Sequence, residues 1–324
     1  MNNEILYYNE HYTEFEPQCP IVIPSYQHRD NTILNNLKSL SNNKIMLFIY
    51  DTDYELYKEH EDEQIEIIQI HEQWRSIQRK RHWIQTYLAN NRPEIENYIM
   101  IDDDIKKAKL TSYKENGSVT SKYIPIINAL GILEHLHKKY SNTISGGASI
   151  SMGILNDVNL YTTQPIYQVY LINNKLIKDH PQCMFRDMQN VSEDNVVWYD
   201  CYNNNITHYS FSCLYFVFNN QTNKKYSSIA STPMNRMRNL INALRVMKSN
   251  CKFTHSSEWN CWSIRFTKSY EPLYPNAKEI LDKNMPNWED LTVDYSDNVF
   301  NKVFEEIDKL LDNGQDSEIN DFLI

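Results

Sequence analysis

The N-terminal third of the chain alternates short apolar runs with segments of helical periodicity. The apolar runs occupy residues 20–23, 45–50, 65–70 and 98–101. Segments with apolar residues three or four positions apart, as in an amphipathic helix, fill the intervals at residues 30–40, 54–60 and 73–90. Strands that alternate with helices predict a mostly parallel sheet with helices on both faces. We therefore predict an α/β fold.

Polar residues follow these runs where the predicted strands end. Residues 25–29 follow the first run, Asp51 and Asp53 follow the second, and three consecutive aspartates at 102–104 follow the fourth. Ligands of such sheets bind beyond the carboxyl ends of the strands, which meet at one edge. We expect these polar groups to lie together at that edge.

The three aspartates are candidates for a metal site. Carboxylates crowded at the end of a core strand repel one another, and a cation or hydrogen-bond donors must offset that cost. Asp102 and Asp104 supply the hard oxygen ligands that suit Mg²⁺ or Mn²⁺ carrying a phosphate-bearing substrate. The alternative is a solvated acidic turn before the next helix.

The later part of the chain yields coarser predictions. Helices are predicted at 123–136, 233–248 and 300–311, and a strand is predicted at 205–218. Residues 145–153 hold half of the six glycines, which permits a ligand-facing loop or an ordinary turn at a strand edge. Two domains are predicted, residues 1–232 and residues 233–324.

Motifs and charge narrow the class of protein. The sequence has neither the glycine-rich dinucleotide fingerprint nor a P-loop, which disfavours an oxidoreductase and a P-loop enzyme. The net charge of −10 is uneven, because the tail 286–324 is acidic whereas residues 235–269 are basic. The total charge therefore does not exclude a nucleic-acid partner. The scattered cysteines, the lack of a long apolar run and the polar N-terminus predict a soluble cytoplasmic protein with reduced thiols.

Three segments resemble the start of an A-type (GT-A) glycosyltransferase. They are residues 21–26 (Ile-Val-Ile-Pro-Ser-Tyr), 78–83 (Gln-Arg-Lys-Arg-His-Trp) and 98–104 (Tyr-Ile-Met-Ile-Asp-Asp-Asp). The resemblance covers about residues 20–215. It implies a Rossmann-like, mostly parallel central sheet flanked by helices, to which we add a mostly helical C-terminal extension. Within this class the chain is similar to the phage TET-associated glycosyltransferases, which are expected to glycosylate hydroxymethylpyrimidines in DNA.

The resemblance also implies site residues. Asp102 and Asp104 would hold Mn²⁺ or Mg²⁺, and Arg81 would reach the diphosphate or the sugar of a nucleotide-sugar donor, for which UDP-sugar is expected. The alternative for Arg81 is an exposed helix cation. The donor's nucleotide would be bound by Pro24, Ser25, Arg29, Asp51, Asp102 and Asp103.

A general base is expected in the second half. Glu193 and Asp194 resemble the Glu-Asp motif of this class, with Asp194 taking the acceptor's proton in an inverting transfer. The alternative is a capped helix start after Ser192, and both roles are compatible. Asp187 is the reserve candidate. His208 and His255 are candidates for a third metal ligand.

The basic segment 235–269, in which aromatic residues are interleaved with lysine and arginine, is the basis for predicting the acceptor. Such a segment suits a phosphate backbone and an extruded base, although a core helix with a solvated face is the plainer interpretation. We expect a glycosyltransferase that modifies hydroxymethylpyrimidines in phage DNA. The alternatives are a polysaccharide or protein acceptor, a nucleotidyltransferase, and a binding module without activity.

Overall fold

The structure is a computed structural model, and it describes eleven stretches of the chain. They are residues 2–26, 32–38, 43–74, 76–113, 118–140, 144–149, 166–187, 193–206, 208–218, 251–256 and 261–266. The strands are β1 Ile21–Pro24, β2 Ile45–Tyr50, β3 Ile65–Ile70, β4 Asn97–Ile101, β5 Ile105–Tyr113, β6 Val119–Ile124, β7 Ile144–Ser149, β8 Val169–Asn173, β9 His208–Phe218, β10 Cys251–Ser256 and β11 Cys261–Phe266. The helices are α1 Asn2–His11, α2 Thr32–Lys38, α3 Tyr54–Tyr57, α4 Ile77–Asn91, α5 Ile126–Tyr140, α6 Asn174–Asp179 and α7 Glu193–Asn203.

Nine strands form one sheet in the order β3-β2-β1-β4-β8-β7-β9-β5-β6. The half β3-β2-β1-β4 is parallel throughout, as the alternation of strands and helices predicted. The other half is mixed, because only β7 and β9 pair in parallel there. The α/β class and the four N-terminal strands are confirmed, and the carboxyl ends of β1, β2 and β4 meet at one edge.

Both faces of β1 and β2 are covered, which explains why these two strands are apolar throughout, whereas the edge strand β3 contains Glu66 and Gln69. Successive side chains of a strand point to opposite faces. In β1 and β2, Ile21, Ile23 and Leu47 pack with residues of α1, α2 and α5, whereas Val22 and Phe48 pack with residues of α4, α6 and α7. A strand buried on both faces cannot show the alternating pattern of a half-exposed strand.

The second half of the sheet differs from the sequence prediction at three places. The helix predicted from residue 123 begins at Ile126, because Tyr123 and Ile124 complete the edge strand β6 before Pro125. The glycines 146 and 147 lie inside β7, between β8 and β9, so the predicted loop or strand-edge turn is wrong for them. Strands β5 and β8 were not predicted. The lysines of β5 obscure the alternating pattern by which a strand is predicted from sequence, because they alternate with buried residues over only part of the strand.

A glycine allows the N-terminal segment to cross α5 closely. A Cβ atom on Gly131 would lie 2.5 Å from the backbone carbon of Phe15 and 2.6 Å from the backbone nitrogen of Glu16. Gly131→Ala should therefore lower the free energy of unfolding by about 1–3 kcal/mol. At an open helix position the same change stabilises by up to about 1 kcal/mol. The sign of the change in unfolding free energy therefore distinguishes a crowded position from an open one. Urea unfolding measures the difference, and a gain in stability would contradict the close crossing.

The chain divides into two compact units, residues 1–187 with 197–224, and residues 188–196 with 225–324. In the second unit the structure describes the start of α7 and the antiparallel hairpin of β10 and β11. That hairpin falls within the basic segment 235–269. The helices predicted at 233–248 and 300–311, and the acidic tail 286–324, lie outside the described residues. Across the described stretches, no helix combines the length and apolar character needed to span a membrane.

Candidate functional site

The three aspartates form a tight turn between β4 and β5. The backbone N–H of Asp102 donates to the carbonyl of Gln168 at 3.0 Å, and the N–H of Ile105 donates to the carbonyl of Asp102 at 3.4 Å. The turn follows the carboxyl end of β4, beside that of β1. The predicted placement at the edge of the sheet is therefore confirmed for the aspartates.

Asp102 forms an ion pair with Arg81 of helix α4. Nη2 of Arg81 lies 2.7 Å from Oδ1 of Asp102, and the Arg81 side chain is only 3% exposed. Its guanidinium carbon is 5.3 Å from the ring centroids of both Tyr170 and Phe185. The alternative of an exposed helix cation is wrong. The fold uses Arg81 to neutralise and orient one of the three carboxylates.

Asp103 turns toward the loop after β1. Its Oδ2 accepts a 2.5 Å hydrogen bond from the Ser25 hydroxyl and a 3.4 Å bond from the backbone N–H of Tyr26. The Ser25 oxygen is also 2.8 Å from the Tyr57 hydroxyl. Since the single Ser25 proton goes to Asp103, Tyr57 is the donor to Ser25. Ser25 is fully buried, so its side chain acts here by positioning Asp103.

Lys80 is a buried cation beneath this edge, and the sequence prediction missed it. Its ammonium donates a 2.5 Å hydrogen bond to the carbonyl of Ser25 and lies 3.7 Å from the centroid of the Tyr50 ring. Burial lowers the pKa of Lys80 from 10.5 to about 7, against the opposing effect of the negative charges of Asp103 and Asp53. One signal was available: Lys80 precedes the apolar Ile84 by one helical turn and shares its face.

Asp104 is the carboxylate without a protein partner at its buried oxygen. Oδ1 of Asp104 is inaccessible to solvent and makes no hydrogen bond in the structure. Burial raises the pKa of the Asp104 carboxyl from 3.8 to about 7. The charges of Asp102 and Asp103 contribute to this rise in the pKa, while a backbone hydrogen bond and Arg81 act in the opposite direction. A buried carboxylate oxygen with no donor is costly unless a cation binds it.

These residues fit a divalent ion of the kind that phosphate-bearing substrates carry. Magnesium commonly uses one or two carboxylates together with waters and substrate phosphates, without a complete protein cage. Asp104 offers the buried oxygen, and Asp102 offers a second carboxylate two residues away. Over the stretches that the structure describes, no group of three or more His, Cys, Asp or Glu side chains is arranged to hold a metal ion by itself.

The remaining donor-binding candidates lie in differing environments. Pro24 is buried at the end of β1, and Asp51 is exposed, with its Oδ1 accepting a 2.8 Å hydrogen bond from the N–H of Thr52. Asp53 is buried, at 4% exposure, in the same short 3-10 turn after β2. Arg29 lies outside the described residues. A role for Pro24, Asp51 and Arg29 in nucleotide binding stays a prediction.

The candidate bases divide between two settings. Glu193 and Asp194 form the first turn of α7, so the predicted helix start is confirmed, and their catalytic role stays a prediction. Asp187, the reserve candidate, pairs with Nε of Arg79 at 2.8 Å.

The two histidines that are candidates for a third metal ligand lie in strands. His208 begins β9 and His255 lies in β10, but their side chains are outside the described part of the structure. The third metal ligand therefore stays open between His208, His255 and neither.

The chain was compared with known proteins. No protein-family model matches it, and no curated protein sequence matches it. Among the solved structures that match is a crystal structure of GalNAc-T7 with UDP, GalNAc and Mn²⁺, at 8% sequence identity and a TM-score of 0.44. The match covers 73% of this chain and 49% of the other, so this chain spans about half the length of that protein. We draw no functional conclusion from this likeness.

Proposed function

We propose that this chain is a metal-dependent glycosyltransferase that uses a nucleotide-diphosphate sugar. The observation that carries the proposal is the buried, unpartnered Oδ1 of Asp104 at the carboxyl edge of a parallel half-sheet. Two further carboxylates adjoin it, and one of them is held by the buried Arg81. A ligand with a diphosphate can bind at such an edge without a glycine-rich loop when a divalent ion offsets its charge.

The roles in this proposal follow the site. Asp102 and Asp104 hold Mn²⁺ or Mg²⁺, which when bound offsets the negative charge of the donor's diphosphate. Arg81 orients Asp102 and offsets its negative charge through their 2.7 Å ion pair. The network from Lys80 through Ser25 to Asp103 holds in place the first residue after β1. Pro24, Arg29 and Asp51 are proposed to complete the pocket for the donor's nucleotide, which is expected to be UDP.

The proposed transfer inverts the anomeric carbon. The hydroxyl oxygen of the acceptor forms a bond to the anomeric carbon. At the same time the bond between that carbon and the diphosphate oxygen breaks, and UDP leaves with the electron pair of the broken bond. The proton of the acceptor hydroxyl passes to the carboxylate of Asp194, with Glu193 beside it in sequence. The acceptor is proposed to be a 5-hydroxymethylpyrimidine in DNA, a choice supported by the sequence resemblance.

The first experiment is donor turnover with Mn²⁺. UDP-sugars are offered with DNA that contains 5-hydroxymethyluracil or 5-hydroxymethylcytosine, and released UDP and the masses of the nucleosides are measured. A hexose or pentose increment on one base is the expected result. Release of UDP without a DNA product would move the acceptor to a polysaccharide or protein. Incorporation of the nucleotide into product would identify a nucleotidyltransferase, and donor binding without any turnover would identify a binding module; either result overturns the proposal.

A further inference from the structure

Strands β5 and β6 carry positive charge in an acidic protein, and the neighbouring β9 carries no acidic residue. Together they hold four lysines and neither aspartate nor glutamate, whereas the whole chain has 42 acidic residues against 32 lysines and arginines. Strand β5 begins directly after the three aspartates, and β6 is the edge strand beside it. Two adjoining strands with four lysines and no acidic residue depart locally from the net charge of the chain, and such a positive surface attracts anionic ligands.

An exposed tyrosine lies among these lysines. Tyr123 of β6 pairs with Lys109 of β5 across the sheet, so both side chains are on one face, and Lys107 lies two residues along on that same face. The ammonium groups of Lys107 and Lys109 are 5.1 and 4.8 Å from the Tyr123 ring centroid. The Tyr123 side chain nevertheless remains 58% exposed, which leaves ring surface available to a ligand.

We propose that this face of β5 and β6 binds single-stranded nucleic acid, with a base stacked on Tyr123 and the flanking phosphates bound by Lys107 and Lys109. Proteins that bind single strands combine aromatic platforms for bases with cations that follow the backbone. Lys107 and Lys109 are about 6.6 Å apart along the strand, a spacing at which two phosphates of one strand can each meet a cation. Lys107 is three residues from Asp104, so a bound strand would lie near the proposed transfer site.

The proposal deepens the proposed function, because it locates the nucleic-acid acceptor on a particular surface. It rests on that function only for the identity of the acceptor. Binding is measured without donor or metal, so a failure of sugar transfer and a failure of this surface give different results. An anionic polysaccharide would use the same lysines, but it has no flat base to stack on Tyr123.

The test is the affinity of the full chain for a fluorescent oligothymidine, measured by anisotropy at several salt concentrations. Tyr123→Ala should weaken binding about tenfold with an unchanged salt slope, and Tyr123→Phe should restore it, because the ring is retained. The double change Lys107→Gln with Lys109→Gln should reduce the slope of log K against log salt by about 1.4, since each phosphate contact on a single strand contributes about 0.7.

Two variants serve as matched controls. Tyr7→Ala removes another exposed tyrosine, whose ring stacks on His11 with centroids 4.5 Å apart, and Lys58→Gln removes an exposed lysine paired with Glu55. Both should bind the oligonucleotide as the unchanged protein does. Wild-type affinity in Tyr123→Ala, together with equally strong competition by a sulfated polysaccharide, would reveal a polyanion surface without base recognition and overturn the proposal.

Discussion

Replacing Asp104 with asparagine is expected to reduce donor turnover at least a hundredfold. The amide keeps the shape of the side chain but removes the anionic oxygen that, in the proposed function, binds the metal ion. Loss of the ion would leave the charge of the leaving diphosphate without its main offset. Turnover is measured as UDP released in the presence of Mn²⁺. Full turnover by Asp104→Asn would exclude a metal role for this residue.

The same variant should be more stable than the unchanged protein when no metal is present. Asp104 is buried beside Asp102 and Asp103, and its ionised form is disfavoured there, as its raised pKa indicates. A neutral amide removes that cost, which is on the order of 2 kcal/mol. Thermal melting should therefore show a higher midpoint for Asp104→Asn without Mn²⁺ and no further rise when Mn²⁺ is added.

A charge removed elsewhere provides the control for this prediction. Glu55 is exposed and pairs with Lys58 at 2.5 Å, so Glu55→Gln removes one carboxylate without touching the strand ends. This variant should keep the turnover of the unchanged protein and its stabilisation by Mn²⁺. An equal loss of turnover in both variants would indicate a general effect of charge and would count against a specific site at Asp104.

Replacing Lys80 with methionine should separate stability from activity. The methionine fills most of the same volume but carries no charge, and because burial disfavours the charged form of Lys80, removing that charge should stabilise the fold. At the same time the Ser25 carbonyl loses its 2.5 Å donor, and the loop that orients Asp103 loses an anchor. Misplacement of such a loop can reduce turnover by up to about a hundredfold. We expect a more stable and less active protein.

The pH dependence of stability tests whether the buried charge of Lys80 is the reason why Lys80→Met is more stable. The pKa of Lys80 is lowered from 10.5 in the unfolded chain to about 7 in the fold, so the fold favours the neutral amine. The penalty for the charged form is complete below pH 7 and disappears as the pH rises from about 7 to 10.5. The stability advantage of Lys80→Met should therefore be largest at pH 6 and shrink toward pH 10. Urea unfolding at these pH values measures it.

Lys58→Met is the control for the lysine, because Lys58 is exposed, lies in the 3-10 turn Lys58–His60 and pairs with Glu55. It should change neither turnover nor the pH dependence of stability. A positioning role for Lys80 also predicts that turnover falls mainly through kcat, since the metal ligands remain. A Lys80→Met protein that is less stable at pH 6 would show that the hydrogen bond and the Tyr50 ring outweigh the burial of the charge.

The sequence alone determined the parallel half of the sheet. Its strands are short, mostly apolar runs and its helices carry apolar residues at helical spacing, and both patterns arise locally along the chain. The same local logic placed Asp102, Asp103 and Asp104 at the edge, because residues that follow parallel strands emerge on one side. The start of α7 at Glu193 was also predictable, since acidic residues favour the first turn of a helix.

Only the tertiary structure decided what each of those side chains does. The sequence offers three equivalent aspartates, but Arg81 pairs with the first, Ser25 binds the second, and Oδ1 of Asp104 is left without a partner. Lys80 and Arg81 are neighbours in a basic run, and their burial depends on how α4 packs against the sheet, where they meet Tyr50 of β2 and Tyr170 of β8. Hydrogen bonds and burial between residues distant in sequence depend on packing across the sheet, which no local pattern of apolar and polar positions records.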